Sequence, residues 1–379
     1  MTANTEDTRI PVTLLTGFLG AGKTTLLNHL IRDPDAGRIA VIMNEFGDVG
    51  LDHDLIEEST EETILMQSGC VCCSIRGDLL KALGKLVARR NNGSLSFDRI
   101  VIETTGIADP GPILHSLVVD QIVGPYFRMD GVVTLADAAT GPHTLQKQFE
   151  AVNQVAMSDL IILSKTDLVS PVELARFEAQ IAEINGSARR VRADHGHVPP
   201  GTLFGLSAMR STVTSDEVSN WLGAGAPQPD PLAGLSGFTA QPVKPAALPF
   251  TQNPPHEHHN HKINSASIEV QEPIPASVFD FWLDTLIALK GPNILRMKGI
   301  VHVEGIGWPF VFHGVQHIFD APVPLESWTG DDTTSRVVVI ARDMSEEDLA
   351  ASLELLRMQP TEVDVATESM MVQSAEMPF

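Results

Sequence analysis

The chain has too few cysteines, placed too close together, for a disulfide framework: of 379 residues only Cys70, Cys72 and Cys73 are cysteine. Disulfides stabilise by closing long loops, which clustered thiols cannot do. A reducing compartment and a metal or redox role are therefore expected. Positive charge is also scarce. The 26 Lys and Arg stand against 48 Asp and Glu, a formal charge of −22, so phosphate-rich partners would be repelled and neither nucleic acid nor an anionic membrane is expected as a partner. No apolar run reaches the roughly 18–20 residues that span a bilayer. The first nine residues are polar and acidic, without the basic-then-apolar start of a signal peptide, and no internal repeat is visible. What is present is a globular balance, 43% hydrophobic and 20% charged, in a chain long enough for two ordinary domains. The expected location is cytoplasmic.

Apolar β-branched runs at residues 12–16, 39–43, 99–103, 131–135 and 160–164 alternate with helical periodicity at 24–31, 78–89 and 173–184. Continuous apolar strands between helices predict an α/β fold, a mostly parallel sheet covered by helices on both faces. Residues 1–222 are assigned to this domain. Residues 223–262 are rich in Pro and Gly and read as a linker, ending in the imidazole-rich run His256, Glu257, His258, His259, Asn260 and His261. Residues 263–359 read as a smaller C-terminal α+β domain, with strands at 267–270, 294–303, 310–318 and 337–340 and helices at 276–289 and 345–358. Residues 360–379 read as a flexible tail.

Gly17-Phe18-Leu19-Gly20-Ala21-Gly22-Lys23-Thr24, followed by Thr25, fits the P-loop pattern G-x-x-x-x-G-K-[ST] between a strand and a helix. Its glycines let backbone N–H groups curl around a phosphate at the positive end of the helix. Lys23 is expected to bridge the β- and γ-phosphates and the Thr24 hydroxyl to ligate Mg²⁺. Residues 98–103 form an apolar strand ending in Glu103, where a carboxylate can hold a Mg²⁺-bound water; the alternative is a solvated strand end. Gly106 permits backbone approach to the γ-phosphate. After the strand at 160–164 come Lys165, Thr166 and Asp167. A carboxylate there can accept two hydrogen bonds from guanine that adenine cannot offer, and the Lys stem can cover the base, so the expected nucleotide is GTP. Ser164 stands where such motifs usually begin with Asn, and Ser207-Ala208 offers backbone contacts to the guanine oxygen. Glu45 and Asp48, in Asn44-Glu45-Phe46-Gly47-Asp48 after the second strand, are candidates to position water or a metal, against a plain turn with solvated carboxylates.

The thiols of Gly69-Cys70-Val71-Cys72-Cys73 suit Zn²⁺, Cu(I) or Co²⁺. A structural zinc site is normally closed by four protein ligands, so an incomplete set suits a metal in transit; a redox cluster and buried thiols are the competing readings. The histidine run reads as metal capture from a mobile arm or as a solvated linker. Arg296 and Lys298 read as partner contacts or as surface charges on a strand.

In this order, GFLGAGKTT, NEFG, GCVCC, ETTGIADP and SKTD resemble the CobW-type metallochaperone GTPases, and the likeness continues through Arg296-Met297-Lys298-Gly299 and His313-Gly314-Val315-Gln316. The resemblance implies a P-loop NTPase of the type that includes the urease and hydrogenase maturation GTPases. It also implies slow GTP hydrolysis, a metal held by Cys70, Cys72 and Cys73, and a separate CobW-like C-terminal domain. Members are associated with zinc homeostasis, cobalamin synthesis or nitrile hydratase activation, which the motifs do not separate. The expectation is a GTPase that carries zinc or cobalt to a client metalloprotein, with Mg²⁺–GTP gating the grip on the metal. The rival readings are a non-catalytic zinc buffer or sensor and a small-molecule phosphotransferase.

Overall fold

The computed structural model describes residues 7–44, 65–67, 75–120, 124–209, 213–223 and 263–359, apart from 317, 320–321, 327 and 329–331. The N-terminal part contains β1 (Ile10–Gly17), α1 (Lys23–Arg32), β2 (Ile39–Asn44), β3 (Leu65–Gln67), α2 (Ile75–Asn91), β4 (Arg99–Thr104), α3 (Gly111–Val119) and β5 (Phe127–Asp137). It continues through α4 (Gly141–Lys147), α5 (Phe149–Ala156), β6 (Leu160–Ser164), α6 (Pro171–Ile184), β7 (Arg189–Arg192), α7 (Pro200–Leu203) and α8 (Ser215–Leu222). Its seven strands are ordered β3-β2-β4-β1-β5-β6-β7, and all of their pairings are parallel.

Period-2 alternation explains why both faces are covered. Val12, Leu14, Ile42, Ile100 and Ile102 join one core with α2 and α3. Their neighbours Leu15, Val41, Val101 and Val133 join another with Leu26 and Leu27 of α1. Helix starts follow local chemistry. Ser170 accepts from the Glu173 amide while Glu173 bonds back to Ser170, a capping box that opens α6, and Thr214 with Glu217 does the same for α8. The sequence reading missed α3, α4, α5, α7, α8 and the edge strands β3 and β7. These are short or, in the case of Arg189–Arg192, too basic to read as a strand.

The C-terminal part contains β8 (Ile263–Val270), α9 (Ala276–Lys290), β9 (Ile294–Val301), β10 (Phe310–Val315), β11 (Ile318–Phe319), β12 (Val323–Pro324), β13 (Ser335–Arg342) and α10 (Glu346–Glu354). The antiparallel sheet runs β11-β10-β9-β13-β8, with β12 on β10. The expected strand at 310–318 is a hairpin instead, because the chain reverses at Gln316, whose φ is 57°. On one face, Met297, Val301, Phe312, Val337 and Val339 pack on Trp282 and Leu286 of α9 and Leu349 and Leu353 of α10. The other face meets the N-terminal part. Leu295, Val315 and Ile340 join the core of α2 and α3, and Ile300, Val311 and Leu325 pack with Val218, Trp221 and Leu222 of α8.

Arg296 and Lys298 sit in this interface, so neither is a surface charge or an exposed partner contact. Each is 2% exposed. Lys298 Nζ lies 2.8 Å and the Arg296 guanidinium 2.5 Å from Asp159 Oδ1, while Asp159 Oδ2 accepts from the Val132 amide at 2.9 Å. Burial pushes the Asp159 carboxyl up, but Arg296, Lys298 and the Val132 amide outweigh it and hold it well below the usual carboxylate range. Among the described residues no helix is long and apolar enough to cross a membrane.

Candidate functional site

The carboxyl ends of parallel strands form the edge where open α/β sheets bind ligands, and the predicted nucleotide residues gather there. Gly17 ends β1, and Gly20 and Gly22 take φ of 76° and 99°, conformations that a side chain disfavours. Ala21 is buried, and α1 begins at Lys23. The loop's amides thereby meet the positive end of a helix.

Lys23 is 9% exposed and folds back over this loop, donating to the Gly17 carbonyl at 2.8 Å and the Phe18 carbonyl at 3.4 Å. Thr24 Oγ1 donates to Glu103 Oε1 at 3.3 Å. A hydroxyl and a carboxylate facing each other beside a phosphate loop are the hard oxygen donors that Mg²⁺ takes, so the donor set fits the ion. Thr25 is exposed on the next position of α1. Behind them, Thr104 donates to Thr16 at 2.7 Å, locking β4 to β1 inside the sheet.

Gly106 lies against the P-loop so closely that a Cβ there would come 2.5 Å from the Leu19 amide nitrogen. At the end of β6, Ser164 Oγ donates to the Ala21 carbonyl at 2.7 Å. The serine in place of Asn therefore still ties the end of β6 to the phosphate loop. Lys165 takes φ 54° and reaches Asp137 Oδ2 at 2.7 Å. Burial raises the Asp137 carboxyl pKa, yet the Lys165 ammonium and the Ala139 and Thr140 amides more than compensate and keep it ionised. Asp167 is exposed in the short turn Thr166–Leu168. Ser207 and Ala208 are buried, Ala208 in the core shared with the C-terminal part.

Sequence reasoning passed over three residues. Asp137, a strand-terminal acid at the end of β5, carried a legible signal. Asp159 and Gln154 did not, because their partners lie 137 and 48 residues away. Glu45, Asp48, Cys70, Cys72, Cys73 and the histidine run at 256–261 lie outside the described residues. Among the described residues no group of three or more His, Cys, Asp or Glu side chains is arranged to hold a metal ion.

Fold and loop together define a P-loop nucleotide-binding domain joined to an antiparallel α+β domain. The family model described as CobW/HypB/UreG, nucleotide-binding domain, matches residues 11–192, and the one described as Cobalamin synthesis protein cobW C-terminal domain matches residues 263–357. The chain belongs to the CobW family. It is 31% identical over 351 residues to the Zinc chaperone YjiA of Escherichia coli, covering 92% of this chain and 99% of that one. It is 38% identical over 196 residues to the Zinc-regulated GTPase metalloprotein activator 1 of Schizosaccharomyces pombe, covering 50% and 47%. The crystal structure of Zn(II)-bound YjiA GTPase from E. coli superposes with a TM-score of 0.63 at 28% identity, over 92% of this chain and 99% of that chain. These relatives are named as GTPases and zinc proteins.

Proposed function

We propose that this protein is a cytoplasmic GTPase that carries zinc on Cys70, Cys72 and Cys73 and releases it to a client metalloprotein when GTP is hydrolysed. The observation that carries the reading is a row across the sheet. Gln67 of β3 pairs with Met43, Met43 with Glu103, and Glu103 with Leu15 of the strand that enters the P-loop. Strands lie about 4.8 Å apart, so the strand that ends three residues before Cys70 is anchored about 10 Å from the backbone of Glu103, whose carboxylate meets Thr24. A rearrangement around the γ-phosphate has a short mechanical path to that strand.

In this reading Gly20, Gly22 and the α1 terminus hold the phosphates. Lys23 exchanges the Gly17 and Phe18 carbonyls for β- and γ-phosphate oxygens, and Thr24 and Glu103 hold Mg²⁺, which neutralises charge developing on the phosphates. Lys165 and Asp167 select guanine, with Asp137 steadying the lysine. Glu45 positions water, and Asp48 contributes to the metal side. The names of the relatives favour zinc over cobalt.

Metal analysis of protein isolated with Mg²⁺–GTP, beside a Cys72→Ala variant, tests the thiol assignment. Zinc content is expected to fall in the variant, and equal content would remove the thiols from the mechanism. Linkage requires zinc to tighten GTP binding by the factor by which GTP tightens zinc binding. Titrations giving one zinc affinity with and without GTP would end the gating scheme.

A further inference from the structure

We propose that Gln154 is a positioning residue that orients the loop at residues 105–110, which carries Gly106, for contact with the γ-phosphate, a role that rests on the nucleotide reading above. Gln154 lies on α5, 1% exposed. Its Nε2 donates to two carbonyls of that loop, Gly106 at 3.2 Å and Ala108 at 3.1 Å. Carbonyls only accept, so the amide orientation is fixed and both N–H bonds are used. Within the loop, the Ala108 amide bonds the Thr105 carbonyl at 3.1 Å and the Gly111 amide bonds Asp109 Oδ1 at 2.9 Å.

The consequence follows from peptide geometry. In a trans peptide the C=O and the following N–H point in opposite directions. Pinning the carbonyls of Gly106 and Ala108 onto Gln154 therefore aims the N–H groups of Ile107 and Asp109 away from α5. The same pin holds the Gly106 Cα against the Leu19 backbone of the phosphate loop. One side-chain amide thus sets both the orientation of the loop's donors and its seat on the P-loop.

The support under Gln154 is stiff. Its own carbonyl accepts from Thr134 Oγ1 of β5 at 2.9 Å and from Ser158 Oγ at 2.6 Å. Asn185, fully buried, donates to the Val155, Ala156 and Ser158 carbonyls at 2.9, 3.1 and 3.0 Å, closing the last turn of α5. Residue 154 is therefore a fixed anchor for the loop. On the nucleotide reading, a γ-phosphate would meet donors that are already oriented, and a diphosphate lacks the group that would use them. Preorganised donors of this kind act on the state in which the charge is present.

The test is a comparison of GDP with a non-hydrolysable GTP analogue on the full-length chain and on Gln154→Met, which keeps the volume but removes both donors. Affinity for the analogue is expected to fall at least tenfold, GDP affinity to stay within twofold, and GTP turnover to fall with the analogue. Gln154→Glu, which turns acceptors toward the two carbonyls, is expected to lower the analogue-to-GDP ratio further. An unchanged ratio, or equal loss for both nucleotides, would reduce Gln154 to a structural residue and overturn the proposal. Should the variants fail to fold, hydrogen exchange of the unsubstituted chain decides: amides at 105–109 must exchange more slowly with the analogue than with GDP, and equal exchange overturns it. A chain that binds no guanine nucleotide at all refutes the nucleotide reading itself. A chain that binds GTP with a ratio indifferent to position 154 refutes only this inference.

Discussion

Lys23 occupies the phosphate loop by bonding the carbonyls of Gly17 and Phe18, so on the proposed function its ammonium is held where phosphate oxygens would arrive. Lys23→Ala removes charge-assisted bonds worth about 3 kcal/mol, and GTP binding is expected to weaken roughly 100-fold; a fluorescent-nucleotide titration measures this. Ser164 is the second decisive side chain. Ser164→Ala leaves the Ala21 carbonyl without its buried donor, an expected loss of about 1–2 kcal/mol in urea unfolding. Ser164→Asn, which keeps a donor, is expected to retain more GTP affinity than the alanine variant. At this scale much was legible in the sequence. That the glycines, Lys23, Thr24 and Glu103 would come together was legible because a P-loop uses contiguous residues and the strand-terminal acid belongs to a recognisable apolar run.

Among the elements, long and strongly periodic segments were legible, and their ends were set by capping chemistry. Helix α6 illustrates it: Pro171 at its first position follows Ser170, whose hydroxyl accepts from the Glu173 amide at 3.3 Å. Ser170→Ala is expected to cost about 1 kcal/mol, read by urea denaturation. Strand β3, three residues long, was not legible. It exists because Val41, Ile42 and Met43 offer a parallel edge to Leu65, Met66 and Gln67, and local propensity carries no trace of a neighbour more than twenty residues away. The hairpin of β10 and β11 was missed for a related reason. Gln316 adopts a left-handed conformation that its residue type does not advertise.

In the whole molecule, the C-terminal part docks on the nucleotide domain through shared apolar cores and a buried ionic cluster. Asp159 is the only carboxylate within ion-pair distance of Arg296 and Lys298 among the described residues. Asp159→Asn leaves two buried cations uncompensated, and about 3–5 kcal/mol of stability is expected to be lost, seen as a lower denaturation midpoint. The pH dependence has a definite sign. The folded carboxyl lies below its ordinary value of 3.8, so its contribution is fully present above about pH 4 and is lost as pH falls through the folded value. Acid unfolding of the unsubstituted chain is expected to begin below pH 4, and the Asn variant is expected to lack this component.

The phosphate loop, its acid and the alternation of strand and helix were determined by the sequence alone, because each depends on residues near one another in the chain. Only the tertiary structure decided that Arg296 and Lys298 are buried, that Ser164 holds Ala21, and that Gln154 pins the loop after β4. Those contacts join segments tens to more than a hundred residues apart, and burial and polar pairing at that separation arise only once the sheets have assembled.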